Sequence, residues 1–310
     1  MANLKEVRNR IVSVNSTQQI TKAMKMVSAA KLKRAVDATS AMAPYADKLR
    51  EMMGQIVPEL GDIQSPFSQN RELKKVLVVI ITSNRGLAGA FNSNIIRMCN
   101  QWIEENLLKT ISKENILILS IGKKGYEFFK RRGFTILENA SELFNQLNYH
   151  NSSEIAGRVM DGFEKGEWDR VELFYNRFKN AVLQIQENLT LIPIHKESPI
   201  EEIQIENAKP VVLKTPLEKS IQPANYIFEP NLEELSNYLI PESIRSTLFS
   251  ALLSSFAAEH GARMTSMDKA TDNAAELLKA YKLQYNRARQ ASITNEILEI
   301  VSGANALENA

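Results

Sequence analysis

Residues 242–310 read ESIRSTLFSALLSSFAAEHGARMTSMDKATDNAAELLKAYKLQYNRARQASITNEILEIVSGANALENA. These last 69 residues contain no proline, and Gly261 and Gly303 are their only glycines. As one helix they would extend about 100 Å at 1.5 Å per residue, whereas globular helices typically run about 8–20 residues. Ile244, Leu248, Leu252 and Phe256 recur at four-residue steps, and Met267, Ala270, Ala274, Leu277, Tyr281 and Ala288 carry the stripe on, with Gln284 as its polar member. Pro230, then Asn231 with Glu234 three residues later, mark the start as a capping-box-like pair. A helix this long cannot hide its apolar stripe in a compact core, so it needs a partner helix or another protein. The alternative is two or three shorter helices broken near Gly261.

The N-terminus carries a matching seam. Leu4, Val7, Ile11 and Val14 step by threes and fours, then Ile20, Met24 and Val27 after a slip, then Ala38, Met42, Tyr45, Leu49, Met52 and Ile56. Pro44 predicts a kink, because it lacks an N–H and crowds the preceding turn; Pro58 and Gly61 end the segment. Residues 1–60 and 229–310 therefore read as two helices of an antiparallel coiled coil, with an α/β domain at 70–228 inserted between them.

The insert alternates strand and helix. Val76–Thr82, Ile116–Ile121, Phe134–Leu137, Val171–Tyr175 and Val182–Ile192 read as strands; Phe91–Leu108, Lys123–Arg131 and a helix opened by Asn151 and Glu154 lie between them. That order predicts a Rossmann-like, mostly parallel sheet with an antiparallel addition. Residues 195–225, rich in Pro, Glu and Lys, read as a long surface excursion.

Composition narrows the function. The 310 residues carry 38 Lys+Arg against 36 Asp+Glu. The longest apolar run, Val76 to Ile81, is far short of the roughly 20 residues needed to span a bilayer. The N-terminus has no apolar signal core. One cysteine, Cys99, allows neither an intrachain disulfide nor a Cys-based zinc site, and a reducing, cytosol-facing compartment is the simplest reading.

No catalytic, cofactor or metal site assembles. The loop Ser83–Asn92 lies between a strand and a helix, where glycines can cradle phosphate. It matches neither GxGxxG nor GxxxxGK[ST], so tight packing is the expected role of its glycines. Glu104 and Glu105 fall inside the following helix. His150, His195 and His260 are scattered, His260 reading as a polar-face residue of the long helix, and Cys99 reads as a packed thiol. Glu201-Glu202 and Glu233-Glu234 read as solvated surface. Residues 1–36 hold eight basic side chains against Glu6 alone; such a face suits nucleic acid, anionic lipid or an acidic protein surface. On the residues alone, a nucleotide-binding α/β enzyme with helical extensions and a coiled-coil or nucleic-acid-associated adaptor both remain open.

Helix arithmetic sharpens the reading. If both helices leave the insert together, the N-terminus lies opposite about residue 287, leaving some 24 residues projecting about 36 Å without an intrachain partner. Yet Ile293, Ile297, Ile300, Val301, Ala304 and Leu307 keep the stripe, which predicts a sleeve formed by another protein. The same count puts Met24 opposite about residue 264, beside Arg263, as a basic and adaptable patch along the shaft.

The two ends closely resemble the gamma chain of F-type ATP synthases. The N-terminal likeness rests on Ile11-Val12-Ser13-Val14-Asn15-Ser16-Thr17-Gln18-Gln19-Ile20-Thr21-Lys22-Ala23-Met24-Lys25-Met26-Val27. The C-terminal one rests on Ala270-Thr271-Asp272-Asn273-Ala274, on Tyr285 to Thr294, and on Glu299 to Ala304. The loop Arg85-Gly86-Leu87-Ala88-Gly89 is similar to the family's Arg-Gly-Leu-x-Gly.

The resemblance implies a non-catalytic rotor, the central stalk inside a ring of alpha and beta chains, with epsilon and the membrane c-ring at the inserted domain. Met24, Lys25, Arg263, Gln290 and Thr294 would then contact the ring, and Ile293, Ile297, Ile300 and Val301 would form the tip in its bearing. The basic helix would meet acidic protein, not nucleic acid. The missing transit peptide, and the missing regulatory cysteine-pair insertion of chloroplast forms, favour a bacterial enzyme held peripherally on the cytoplasmic face of the membrane, with no direct insertion.

Overall fold

The computed structural model describes residues 4–59, 65–69, 71–194 and 231–308. The excursion at 195–225, with His195 and Glu201-Glu202, lies outside the described residues. Helix α1 (Leu4–Glu59) and helix α5 (Leu232–Glu308) have 56 and 77 residues. Both run unbroken as helix through a proline, Pro44 in α1 and Pro241 in α5. Gly261 does not interrupt α5 either. Its start is the expected one: Asn231 Oδ1 accepts from the Glu234 N–H at 2.8 Å.

Between them lie β1 (Val76–Ile81), α2 (Phe91–Asn106), β2 (Ile116–Ile121), α3 (Lys123–Arg131), β3 (Thr135–Asn139), α4 (Tyr149–Glu164), β4 (Arg170–Phe178) and β5 (Gln184–Ile192). The sheet order is β3-β2-β1-β4-β5; β1 pairs parallel with β2 and β4, β2 pairs parallel with β3, and β5 adds antiparallel to β4. The central strand β1 is buried along its whole length, as a parallel strand covered on both faces must be. Period-2 alternation splits it between two cores. Leu77, Val79 and Ile81 join residues of α4 and α5, including Val159, Phe163, Ile244, Leu248 and Leu252. Val76, Val78 and Ile80 join α2 and α3 through Ile95, Cys99, Ile103 and Phe129. The expected packed thiol is therefore found, fully buried under the sheet.

One cap differs from expectation. Helix α4 is capped by Asn148, whose side chain accepts from the Asn151 N–H at 2.8 Å, not by Asn151. The Asn151 amide instead donates to the Gln146 carbonyl.

Contacts divide the chain into two compact units, 29–263 and 1–28 with 264–310. In the first, α5 lays Leu239, Ile240, Ile244, Leu248, Leu252 and Ala258 into the core, a stripe at helical spacing. In the second, α1 and α5 run antiparallel: Arg10 lies near Tyr281, Thr271 Oγ1 donates to Thr21 Oγ1 at 2.8 Å, and Lys25 meets Asp268. Val7, Thr21, Ser28, Met267 and Ala274 are buried there.

Candidate functional site

The observed register of the paired helices lies about one helical turn beyond the arithmetic. Lys25 faces Asp268, so Met24 lies opposite the start of the 268–271 turn and not residue 264. Met24 is half-buried and Lys25 half-exposed. Gln290 and Thr294 are exposed and joined only by the helical bond from Thr294 Oγ1 to the Gln290 carbonyl at 2.9 Å. Ile293, Ile297, Ile300 and Val301 are all exposed, Ile300 at 72%. Exposed apolar side chains are not confined to that end. Val12, Ile20, Met26 and Val27 on α1, and Leu277 and Leu283 on α5, are open as well. A soluble chain rarely leaves this much apolar surface uncovered.

Arg263 corrects the expectation of an exposed charge beside Met24. It is 7% exposed, and its guanidinium donates to Glu259 Oε1 at 2.5 Å. The same group reaches the carbonyls of Arg85 and Gly86 at 3.2 and 3.4 Å. His260, read as a polar-face residue, is buried too: Phe256 packs edge-on at 4.4 Å and Arg263 lies 3.5 Å from its Nδ1. Burial, then the nearby positive charges of Arg263 and Lys31, lower its pKa to about 3. Burial raises the Glu259 pKa against the opposing pull of Arg263. The signal for this cluster was Glu259 and Arg263 at i,i+4 among Ala257, Ala258, Gly261 and Ala262. Small residues let a neighbour approach, and an opposite charge one turn away makes a buried ion tolerable.

The loop that Arg263 touches is itself tied down. The Ser83 N–H donates to Asn92 Oδ1 at 2.9 Å, Asn92 Nδ2 donates to Ser83 Oγ, and Ser83 Oγ donates to the Arg85 carbonyl. Asn84 bridges the Ser141 carbonyl and the Lys123 N–H. The Ser83 N–H and the carbonyls of Arg85 and Gly86 thus have partners within the chain.

The sheet order reverses beside β1, which makes the crevice beyond β1 and β4 the place where a doubly wound sheet takes a ligand. Here α5 fills it. Ala257, Ala258 and Ala262 pack with Ala88, Phe91 and Phe178, and Ser254 Oγ accepts from the Phe178 N–H at 2.9 Å. Gly261 suits this close approach, since a Cβ there would lie 3.2 Å from the Ala181 Cα and its neighbours would have to give by a few tenths of an ångström. Among the described residues, no group of three His, Cys, Asp or Glu side chains is placed to hold a metal ion. No helix among them is long and apolar enough to cross a membrane.

The ATP synthase family model matches residues 3–307. A gamma chain from Flavobacterium psychrophilum is 48% identical over 312 residues, spanning 99% of this chain and all of that one. This chain belongs to the family of ATP synthase gamma chains. The gamma chain of Cytophaga hutchinsonii is 46% identical over the full length of both. The fold is shared more widely. A central-stalk chain of the Tetrahymena thermophila mitochondrial ATP synthase aligns with a TM-score of 0.53 at 26% identity, over 81% of this chain and 99% of that one. A chain of the Euglena gracilis mitochondrial enzyme aligns with a TM-score of 0.62 at 20% identity, over 98% and 94%. Gamma-chain membership makes this chain part of an ATPase complex.

Proposed function

We propose that the chain is the rotor of a bacterial F-type ATP synthase, turning inside a ring of alpha and beta chains and held by epsilon and the membrane c-ring. It carries no catalytic site of its own. The asymmetric helix pair drives the ring's sites through successive states, and the complex sits peripherally on the cytoplasmic face of the membrane. Met24, Lys25, Gln290 and Thr294 meet the ring directly; Arg263 acts from beneath the surface. The supporting observation is the run of side chains Ile293, Ile297, Ile300 and Val301 at the far end of α5, apolar and exposed among the described residues. An exposed apolar face of this kind marks a contact surface for another protein.

Co-expression with alpha and beta chains tests this reading. An ATP-hydrolysing complex should be recovered only when this chain is present. Ending the chain at residue 290 should leave the inserted domain folded and weaken assembly. Equal assembly of the shortened and full chains would sink the bearing role.

A further inference from the structure

Leu87 is the one residue other than glycine with a positive φ among the described residues, at 64°. A left-handed conformation costs a branched L-residue roughly 1–2 kcal/mol, and Leu87 recovers little by burial, being 65% exposed. Arg85 and Gly86 beside it are exposed as well. Such a conformation persists only where the surroundings over-determine it. The surroundings here are Ala88, buried against Ala257 and Ala258, the Ser83–Asn92 bonds, and the Arg263 guanidinium on the carbonyls of Arg85 and Gly86.

We infer that Arg263 is a positioning residue that locks the exposed Arg85–Leu87 tip onto α5. The chemistry favours arginine. One planar fork serves a carboxylate on its own helix and two carbonyls of the loop, which a lysine ammonium cannot span in the same way. Glu259 neutralises the guanidinium where burial would otherwise expel it, and so holds it aimed at the loop. The Ser254–Ala262 face of α5 packs against Ala88, Phe91 and Phe178, and Arg263 stands at the end of that face. The shape of the tip is then set by how α5 is seated. This assignment goes beyond the rotor reading and does not depend on it, since it concerns contacts within one chain.

Trypsin reads the tip directly. Cleavage after Arg85 requires the Arg85 carbonyl to leave its present partners, and the Lys165–Gly166 and Arg131–Arg132 bonds serve as internal controls. In the full chain, Arg263→Met should speed cleavage at Arg85–Gly86 by about tenfold or more relative to the control bonds, the scale expected for losing two hydrogen bonds, while the thermal midpoint falls because buried Glu259 loses its counter-charge. Arg263→Lys keeps the charge opposite Glu259 and loses the fork; it should still speed cleavage at Arg85 selectively, and it serves if the methionine variant does not fold. Unchanged cleavage at Arg85, or cleavage rising equally at all three bonds, would overturn the assignment.

Discussion

Lys25 Nζ lies 2.5 Å from Asp268 Oδ1, an ion pair that joins positions 243 residues apart in sequence. Both side chains are close to half exposed, so the pair is worth under about 1 kcal/mol and is screened by salt. Asp268→Asn should therefore move urea unfolding of the chain by less than about 1 kcal/mol, and the difference should vanish in 1 M salt. A larger, salt-insensitive loss would show that the pair is structural and not a weak fastening that leaves Lys25 available to partners.

His260 should make the chain acid-sensitive in a defined window. Its folded pKa is lowered to about 3, by burial first and then by Arg263 and Lys31; the unfolded value is near 6.5. The unfolded state binds the extra proton, so the stabilising contribution is full above about pH 6.5 and is lost as pH falls toward 3. Neighbouring Glu259, with its raised pKa, works in the opposite sense. Comparing the wild type with His260→Phe isolates the histidine. Between pH 7.5 and pH 5 the variant should gain about 2 kcal/mol relative to wild type, measured as the shift in urea midpoints.

Gly122 joins β2 to α3 with φ at 124°, and a Cβ there would lie 2.0 Å from the Thr82 carbonyl oxygen. Alanine adds a left-handed backbone penalty to a backbone clash, at the point where Thr82 Oγ1 also accepts from the Gly125 N–H. Gly122→Ala should cost about 3 kcal/mol or more. A denaturant midpoint within error of wild type would refute it.

Glu242 gathers two phenols onto one oxygen: Tyr45 from α1 at 2.9 Å and Tyr149 from α4, whose ring packs edge-on against Phe249. Burial first, then the carboxylate, raises the Tyr45 pKa to about 12. Tyr149→Phe should lower stability by about 1–2 kcal/mol. The Tyr45→Phe and Tyr149→Phe effects should be non-additive in a double-mutant cycle, because they share one acceptor.

Ile297→Asp with Ile300→Asp should leave thermal unfolding of the isolated chain unchanged, since both side chains already face water. Recovery of a complex with alpha and beta chains should fall sharply. Undiminished recovery would argue that this face is not covered in the assembly.

The large features were legible because they rest on period and punctuation. The apolar stripe between Ile244 and Phe256, the missing prolines after Pro241, and the all-apolar Val76–Ile81 run each admit few structures. What escaped was set by packing partners that sequence spacing does not name. The helix register slipped by about a turn because the count assumed that both helices leave the inserted domain at matched positions. Asn148 and Asn151 are equivalent as caps in sequence, and only the Gln146 carbonyl, which occupies the Asn151 amide, decides between them. Arg263 and His260 read as solvent-facing because a charged or polar residue on a helix usually is. Their burial follows from a sheet crevice and a loop nearly 180 residues away in sequence.

Cys99 is the sole thiol of the chain and lies wholly shielded beneath the sheet, where burial lifts its pKa well above the usual thiol range. Thiolate is the form that alkylates, so a maleimide dye added to the folded chain finds no native target. A cysteine engineered at an exposed helical position of the inserted domain, such as Arg97 on α2, would then be a unique attachment point. Fluorophores or beads fixed there would follow that helix face with no need to strip a native cysteine first.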